Sequence, residues 1–290
     1  MPNIVIDPAR CIRCNACVEE CFEGVFTAGE EGAAPCAVRA DLCVSCGHCV
    51  ALCAQDAIRH PDFPPGSLRR VAKEILPGPE ALMELFRARR SGRVFQNRPV
   101  PQELVEKVIE AARLAPTGHN CQGTQYIVVQ SGAELRQIAD RTATFLRWSA
   151  FLLRNPVIRG LYGLADRNGM KCAWDMVGSF ETIAKAAKEG RDRVLRSAPC
   201  LLIFHADPAL AYPDKSAQLA VQNASLMCDS LGLMSFYTGY FMGACDYRVP
   251  FSALAGMPKR HRVYAALAIG WSKVAFSQWP DRKPAPVQWR

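Results

Sequence analysis

CIRCNACVEEC, residues 11–21, recurs 32 positions later as CVSCGHCVALC, residues 43–53. Both stretches place their cysteines in the pattern C-x2-C-x2-C-x3-C. Three thiolates at this spacing lie in one tight loop and can each bind one iron of a cubane cluster. The thiolate that binds the fourth iron comes from a more distant position in the sequence. Paired C-x2-C cysteines can also hold zinc tetrahedrally, so zinc stays an alternative. A repeated half-site predicts a pseudo-twofold module, and a module this small needs metal as its core.

Residues 1–60 resemble the bacterial two-cluster ferredoxins, in which the fourth cysteine of each motif ligates the other cluster. The resemblance implies two [4Fe–4S] clusters with crossed ligands. One would be held by Cys11, Cys14, Cys17 and Cys53, and the other by Cys43, Cys46, Cys49 and Cys21. Phe22 and Ala54 stand where the family usually has a proline, a departure that bears on the local turn and the reduction potentials rather than on ligation. Cys36 lies outside both motifs and is predicted to be a small buried residue.

The use of cysteine indicates the compartment. The chain has 290 residues, half of them apolar and 21% charged, and 14 cysteines. Nine of these cysteines lie within the first 53 residues. A disulfide scaffold would be short and secreted, so this distribution favours metal binding in a reducing compartment, which we expect to be the cytoplasm. No apolar run approaches the ~18 residues of a membrane-spanning helix, and we expect no membrane partner.

The formal net charge of +8 is unevenly distributed. Residues 1–60 carry 4 basic and 8 acidic side chains, whereas residues 141–196 carry 11 basic and 5 acidic ones. The basic surplus therefore has an acidic counterpart within the chain, which weakens a nucleic-acid-binding interpretation. The sequence also has no nucleic-acid-binding motif, so we expect no nucleic-acid partner.

Residues 61–79 are rich in proline and are predicted to form a stiff linker between two domains. Beyond the linker, helical and strand patterns alternate. Helices are predicted at 80–90, 101–114, 132–141, 173–189 and 215–231, and strands at 125–130, 199–205 and 262–270. Gly232 is predicted to end the last of these helices. The predicted fold class is α+β, with a small cluster domain over 1–60 and, over 80–290, an α/β layered domain whose central sheet is flanked by helices.

Three separated segments of residues 81–290 resemble the nitroreductase family. The first is Arg89-Arg90-Ser91-Gly92-Arg93. In that family this loop follows the first helix and holds the FMN phosphate and part of the isoalloxazine edge. Guanidinium groups and a hydroxyl suit a dianionic phosphate, although an Arg-Arg run by itself is more often a solvated helix end. The resemblance assigns FMN contacts to Arg89, Arg90, Ser91 and Arg93.

The second segment is Pro116-Thr117-Gly118-His119-Asn120-Cys121-Gln122, between an amphipathic helix and a strand. It is similar to the family's loop that contacts FMN from the partner subunit. The resemblance implies FMN contacts from Pro116, Thr117, Gly118, Asn120 and Gln122, with the Asn120 amide near the ring system. An ordinary polar loop is the alternative. The family does not require His119 and Cys121, which we take as lining residues.

The third segment, Tyr237-Thr238-Gly239, follows Leu231-Gly232-Leu233. It resembles the stretch that passes beside the flavin ring, although its apolar lead-in also suits a core strand. A weaker match is Arg282-Lys283 near the C-terminus, because basic residues there often complete the family's phosphate site. A solvated tail is the alternative for this pair.

Residues 141–196 are expected to determine substrate choice, because in the resembling family the equivalent region varies and covers the flavin face. This cap contains six aromatic residues, namely Phe145, Trp148, Phe151, Tyr162, Trp174 and Phe180. Core packing or dimer contacts are the alternative for each of them. The positive charge of the cap would either steer an anionic substrate or dock the acidic first domain.

The two resemblances together imply an FMN-dependent oxidoreductase with ferredoxin-like electron input. Low-potential electrons would pass from the [4Fe–4S] clusters to FMN and then to an electron-poor conjugated small molecule, such as a nitroaromatic, a quinone or an activated alkene. The alternatives are a reductive dehalogenase and an electron-transfer or redox-sensing subunit that serves a partner protein. We expect a homodimer with a low-potential protein electron donor. The sequence does not identify a general acid, so no catalytic residue is assigned.

Overall fold

The computed structural model describes residues 3–290. Contacts within the chain divide it into two units. The first runs up to Leu76 and includes His119–Cys121, and the second comprises Pro77–Gly118 and Gln122–Arg290. The first two residues of the predicted 1–60 domain lie outside the described residues. Residues 61–76 group with the first unit, so a separate linker over 61–79 stays a prediction.

The first unit consists of two short helices and two two-stranded sheets, and the elements follow the cysteine repeat. Strands β1 and β4 pair antiparallel, as do strands β2 and β3. In chain order the elements are β1 Val5–Ile6, α1 Ala16–Glu20, β2 Phe26–Thr27, β3 Cys36–Ala37, α2 His48–Leu52 and β4 Ile58–Arg59. Helices α1 and α2 lie 32 positions apart, as do strands β2 and β4.

The backbone conformation of the first unit repeats as well. Three residues of the first half have a positive φ, and the residues 32 positions later share it. The pairs are Arg13 and Ser45, Asn15 and Gly47, and Gly24 and Asp56. Asn15 and Gly47 lie directly before α1 and α2, where a left-handed residue turns the chain sharply between closely spaced cysteines. The repeat in the sequence is therefore a repeat of turn geometry.

The core of the first unit is small. Its buried residues are Ile4, Cys17, Val25, Phe26, Val50 and Ile58. A core of this size supplies little hydrophobic stabilisation. The prediction that Cys36 is buried is wrong, because its side chain is exposed on the two-stranded β2–β3 sheet.

The second unit contains a four-stranded antiparallel sheet with strand order β5-β6-β8-β7. The strands are β5 Gln125–Val129, β6 Cys200–Ala206, β7 Met234–Tyr237 and β8 Arg262–Gly270. Every residue of β6 is buried, which explains its continuous apolar sequence, since a strand covered on both faces has no polar alternation. Strand β7 is an edge strand, and it was not predicted because it has only four residues.

Seven helices of the second unit flank this sheet. They are α3 Pro79–Ala88, α4 Gln102–Arg113, α5 Gly132–Arg154, α6 Pro156–Ala165, α7 Arg167–Lys188, α8 Pro213–Ser230 and α9 Gly239–Asp246. Helices α4 and α8 pack with one face of the sheet, and α5, α7 and α9 contribute to a second core. This arrangement confirms the α+β class with a layered second domain.

The predicted helices are present, but the boundaries in the cap were wrong. Helix α5 extends 13 residues past its predicted end at 141, and α7 begins before 173. Helix α6 was not predicted at all. Side chains cap the new boundaries, since Asn155 accepts from the backbone N–H of Val157 and Asp166 accepts from that of Gly169. The helical period could not be read from the sequence here, because Asn155 and Asp166 interrupt it and the residues between them mix aromatic and basic types.

The end of α8 agrees with prediction. Gly232 has a φ of +72°, and its backbone N–H donates to the carbonyl oxygen of Asp229. The N–H of Leu233 donates to Cys228, which completes a glycine-terminated helix end. Across residues 3–290, none of the helices combines the length and the apolar character that crossing a membrane requires.

Candidate functional site

The eight motif cysteines line two separate cavities in the first unit. One cavity is lined by Cys11, Cys14, Cys17 and Cys53. The other is lined by Cys21, Cys43, Cys46 and Cys49. Each cavity thus takes three cysteines from one repeat and the last cysteine from the other. The structure brings together the same two crossed sets that the ferredoxin resemblance implied.

One thiol of each set has a raised pKa. Burial, followed by the charges of the neighbouring thiolates, raises the pKa of Cys17. The same causes raise the pKa of Cys49 to about 11. Four thiolates gathered in one cavity therefore require a positively charged group between them. Iron in a cluster would supply this charge.

Backbone donors also point at the cysteine sulfurs. The N–H groups of Arg13 and Ser45 each lie 3.4 Å from the Sγ atoms of Cys11 and Cys43, respectively. The last cysteine of each motif also accepts a backbone hydrogen bond. The N–H of Val25 lies 3.4 Å from Sγ of Cys21, and the N–H of Ala57 lies 3.3 Å from Sγ of Cys53. Hydrogen bonds of this kind stabilise negative charge on sulfur. The residues present therefore fit a thiolate-bound cluster in each cavity.

The first unit shows no preformed site for a single metal ion. Over residues 3–290, no three or more His, Cys, Asp or Glu side chains surround one ion position. A mononuclear zinc site would draw four ligands to about 2.0–2.3 Å from one point. Elemental analysis of the protein is the test that separates zinc from iron.

In the second unit, the loop that contains residues 89–93 lies along the edge strand β7. Ser91 forms a parallel bridge with Ser235, and the N–H of Gly92 donates to the carbonyl oxygen of Ser235 at 3.1 Å. Gly92 is buried against the Met234 side chain. The structure thus brings the first and third predicted FMN segments side by side, although they are more than 140 residues apart in sequence.

Three arginines concentrate positive charge near this loop. Burial, and then the charges of Arg193 and Arg93, lower the pKa of Arg196. Asp192 offsets part of this charge. Arg193 and Arg196 were not predicted as site residues, because they were counted only as part of the basic surplus of the cap. The spacing Arg193-x-x-Arg196 directly before a buried strand was the available signal.

Arg89 and Arg90 are half-buried at the start of the loop, as is Ser91. Arg89 lies near Asp229, whose pKa burial raises to about 6 despite the opposing charge of Arg89. One carboxylate oxygen of Asp229 is buried without a hydrogen-bond partner among the described residues.

The loop over 116–122 is held by local contacts. The hydroxyl of Thr117 accepts from the N–H of Gln122 at 3.0 Å. Gly118 packs closely against Ala211 and Tyr212, where a Cβ would meet backbone. Pro116 and Gln122 are exposed.

The side-chain amide of Asn120 was expected to lie near a flavin ring. Its contacts group it with the first unit. There its side-chain amide donates to the carbonyl oxygens of Val44 at 3.3 Å and Ser45 at 2.8 Å. The FMN contact of Asn120 stays a prediction.

Residues 237–239 connect β7 to α9. The hydroxyl of Tyr237 accepts from the Gln218 side chain at 2.9 Å, and burial raises the pKa of Tyr237. Thr238 is buried, and its hydroxyl and N–H both donate to the carbonyl oxygen of Ala266. Gly239 then begins α9. Thr238 therefore anchors the start of α9 on the sheet, and Tyr237 is the partly exposed residue of the segment.

The predicted tail residues Arg282 and Lys283 are exposed in a stretch without regular secondary structure. Trp279, three residues earlier, lies 5.0 Å from the guanidinium of Arg87. Arg87 is in the last turn of α3, directly before the 89–93 loop. The tail thus passes near the beginning of this loop, but the role of Arg282 and Lys283 stays a prediction.

The six cap aromatics divide into two groups. Phe180 is buried in the core of the second unit. Phe145 and Tyr162 are partly buried and pack against the same core. Trp148 and Phe151 are exposed and meet edge to face at 5.8 Å. Arg159 lies over Trp174 at 4.2 Å. The core alternative therefore holds for Phe180, whereas Trp148 and Phe151 are available to a ligand or a partner.

A model of the nitroreductase family matches residues 86–271, more than half of the chain. This chain belongs to the nitroreductase family. The match contains both the 89–93 loop and the segment over 237–239. A model of the 4Fe-4S binding domain matches residues 4–27, which contain the first cysteine motif, so this nitroreductase-family chain carries an N-terminal 4Fe-4S domain.

One solved nitroreductase is similar in fold to most of this chain. A nitroreductase with bound FMN from Bacteroides fragilis is 20% identical, with a TM-score of 0.50, and the match covers 71% of this chain and 97% of that one. A nitroreductase with bound FMN from Desulfitobacterium hafniense is 21% identical, with a TM-score of 0.49 and the same coverages. At these identities the likeness concerns the fold alone. The search among curated proteins found no match.

Proposed function

We propose that this member of the nitroreductase family is an iron–sulfur flavoprotein reductase. It would pass low-potential electrons from two [4Fe–4S] clusters to FMN and then to an electron-poor, conjugated small molecule. The observation that carries the proposal is the presence, in one chain, of two four-cysteine cavities and of an arginine-rich loop docked on β7. The first feature suits one-electron carriers, and the second suits a phosphate-bearing cofactor.

The proposed cluster ligands are the two crossed cysteine sets. Cys11, Cys14, Cys17 and Cys53 would hold one cluster, and Cys21, Cys43, Cys46 and Cys49 the other. The paired backbone N–H groups would stabilise the thiolate charge of both. Thiolate ligands in this number suit a reducing compartment, and we propose the cytoplasm.

For FMN, the proposed phosphate ligands are Arg89, Arg90 and Ser91, with Arg282 and Lys283 as further candidates. Arg93 would face the ring edge, where Arg193 and Arg196 add positive charge. FMN, when bound, accepts single electrons and delivers pairs, which suits it to join clusters to a two-electron acceptor. This chain's own contribution is to bind the phosphate, orient the ring and keep positive charge near it. Pro116, Thr117, Gly118, Asn120, Gln122, Tyr237, Thr238 and Gly239 remain proposed FMN neighbours.

The substrate is proposed to lie under the cap. The exposed aromatic pair of Trp148 and Phe151 supports a flat, conjugated acceptor, because aromatic faces stack on such molecules. The basic residues of the cap would favour acceptors that carry negative charge.

A homodimer is proposed on the basis of the family and of an apolar surface. Helix α6 exposes several large apolar side chains, namely Val157, Leu161 and Leu164. Adjacent exposed residues of this kind mark an interaction surface more often than scattered ones do. A second copy of this chain is the proposed occupant.

The test is reconstitution of the complete electron path. Anaerobically purified protein should contain about eight iron, about eight sulfide and one FMN per chain. Reduced with a low-potential protein donor, it should turn over nitroaromatic, quinone or activated-alkene acceptors. Zinc in place of iron would contradict the cluster assignment. Flavin reduction by the protein donor without turnover of any acceptor would favour an electron carrier instead.

A further inference from the structure

The two cysteine cavities are nearly equivalent in their backbone hydrogen bonds. Each cavity receives one N–H from the residue two positions after the first cysteine of a motif. Each also receives one N–H from the residue four positions after the last cysteine. These donors come from equivalent positions of the repeat. They cannot by themselves make one cluster easier to reduce than the other.

One side chain breaks this equivalence. The Nε2 atom of His60 lies 3.4 Å from the Sγ of Cys43. The position 32 residues earlier is Ala28, which has no side-chain donor. Cys11, the counterpart of Cys43, therefore receives the backbone bond from Arg13 but no equivalent of the histidine contact.

The surroundings of His60 determine which ring nitrogen carries the hydrogen. The backbone N–H of Asp62 donates to Nδ1 of His60 at 3.1 Å. Because Nδ1 accepts this bond, the ring hydrogen is on Nε2, and Nε2–H faces the sulfur of Cys43. His60 is 4% exposed. The Phe63 ring lies 5.0 Å from the imidazole.

The loop that carries this interaction is itself held in place. The Ser45 hydroxyl donates to the Asp62 carboxylate, which ties the cysteine loop to the segment after β4. Phe63 covers Gly47, where a Cβ would lie 2.9 Å from the phenyl ring. His60 is therefore locked in its orientation by two neighbours on its own segment.

We propose that His60 is a positioning residue that raises the reduction potential of the cluster held by Cys21, Cys43, Cys46 and Cys49. A hydrogen bond donated to a ligand sulfur stabilises the more negative, reduced cluster more than the oxidised one. The clusters are then unequal, and electrons collect at the cluster beside His60. This inference rests on the proposed two-cluster function.

The test is a redox titration of the holoprotein, followed by electron paramagnetic resonance. In His60→Leu, one of the two reduction steps should move to lower potential while the other stays in place. His261→Leu is the control, since His261 is a histidine of the second unit that lines neither cysteine cavity. It should leave both steps where they are. Equal potentials in His60→Leu and the unmodified protein would overturn the proposal.

If His60→Leu contains less iron–sulfur cluster than the unmodified protein, a second pair of variants tests the proposal instead. His60→Gln keeps an N–H donor of similar reach, whereas the side chain of His60→Asn is too short to reach Cys43. The Gln variant should keep the unmodified potentials and the Asn variant should show the lowered one. Identical potentials in the two variants would contradict the proposal. Fewer than about eight irons in the unmodified protein would instead refute the two-cluster function.

Discussion

The backbone N–H of Gly92 donates to the carbonyl oxygen of Ser235 at 3.1 Å, which joins the arginine loop to the edge strand β7. The contact requires a glycine, because a Cβ at position 92 would lie 2.9 Å from Cβ of Met234 and closer still to its Cγ. The geometry of the proposed phosphate loop therefore depends on a close approach between two segments that are distant in sequence.

Gly92→Ala should displace this loop and reduce FMN occupancy. Overpacking of this kind costs about 1–3 kcal/mol. The flavin-to-protein absorbance ratio after purification measures occupancy. Gly178→Ala, in α7 where a Cβ meets open space, is the control and should retain FMN. Full flavin content in Gly92→Ala would show that the loop position does not matter for binding.

Arg89→Ala and Arg93→Ala should each weaken FMN binding. A charge-assisted hydrogen bond contributes about 1.5–3 kcal/mol, or roughly a 10- to 150-fold change in Kd. Fluorescence titration of the deflavinated protein gives the Kd. Arg260→Ala removes an exposed arginine that pairs with Asp207 and should leave the Kd unchanged. Unaltered affinity in both loop variants would remove this loop from the FMN site.

Cys21→Ala should perturb the cluster proposed at Cys43, Cys46 and Cys49, although Cys21 belongs to the first repeat. The reason is that Cys21 lines the cavity of the second set. Iron analysis and the electron paramagnetic resonance spectrum of the reduced protein report the loss. Cys36→Ala, an exposed cysteine outside both cavities, should change neither. Loss of the cluster at Cys11, Cys14 and Cys17 instead would mean that each motif holds its own cluster.

His205 should make the stability of the protein depend on pH below neutrality. Burial, and then the neighbouring His261, lower the pKa of His205 from 6.5 to about 4. The unfolded chain therefore takes up a proton below pH 6.5 that the folded protein takes up only near pH 4. The free energy of unfolding should fall as the pH drops, by about 1.4 kcal/mol at pH 5.5.

This loss is measurable as the difference in thermal denaturation between pH 7.5 and pH 5.5. His205→Asn should show a smaller difference than the unmodified protein. Asn97→Ser, which changes an exposed residue that does not titrate, should not. An unchanged pH dependence in His205→Asn would show that other groups cause it.

Leu161→Asp should dissociate the proposed homodimer. Leu161 lies on the exposed apolar face of α6, near Leu164, which is 86% exposed. A charge on this face must be desolvated in an interface, which opposes association. Sedimentation measurements give the mass. Ile75→Asp, at an isoleucine of the first unit that is 79% exposed, is the control and should leave the mass unchanged. A dimer that persists in Leu161→Asp would place the interface elsewhere.

The cysteine module could be predicted from the sequence because its determinants are local. The spacing of the cysteines and the 32-residue repeat act through turns of a few residues, and the structure shows the same turns in both halves. The two sets of cysteines lie around separate cavities for this reason. The helices and strands with a clear period, such as α4 and β8, were predictable on the same grounds.

The remaining features depend on tertiary structure. Strand β7 exists because β8 offers it an edge, and Arg93 meets Arg193 and Arg196 because the sheet brings together segments about 100 residues apart. The orientation of His60 toward Cys43 depends on a backbone donor two residues away and on the packing of Phe63. Local spacing determined the pattern of thiolates, since short loops leave few conformations. Contacts between distant segments have no local signature, so only the folded chain could determine which charges and donors surround the proposed cofactors.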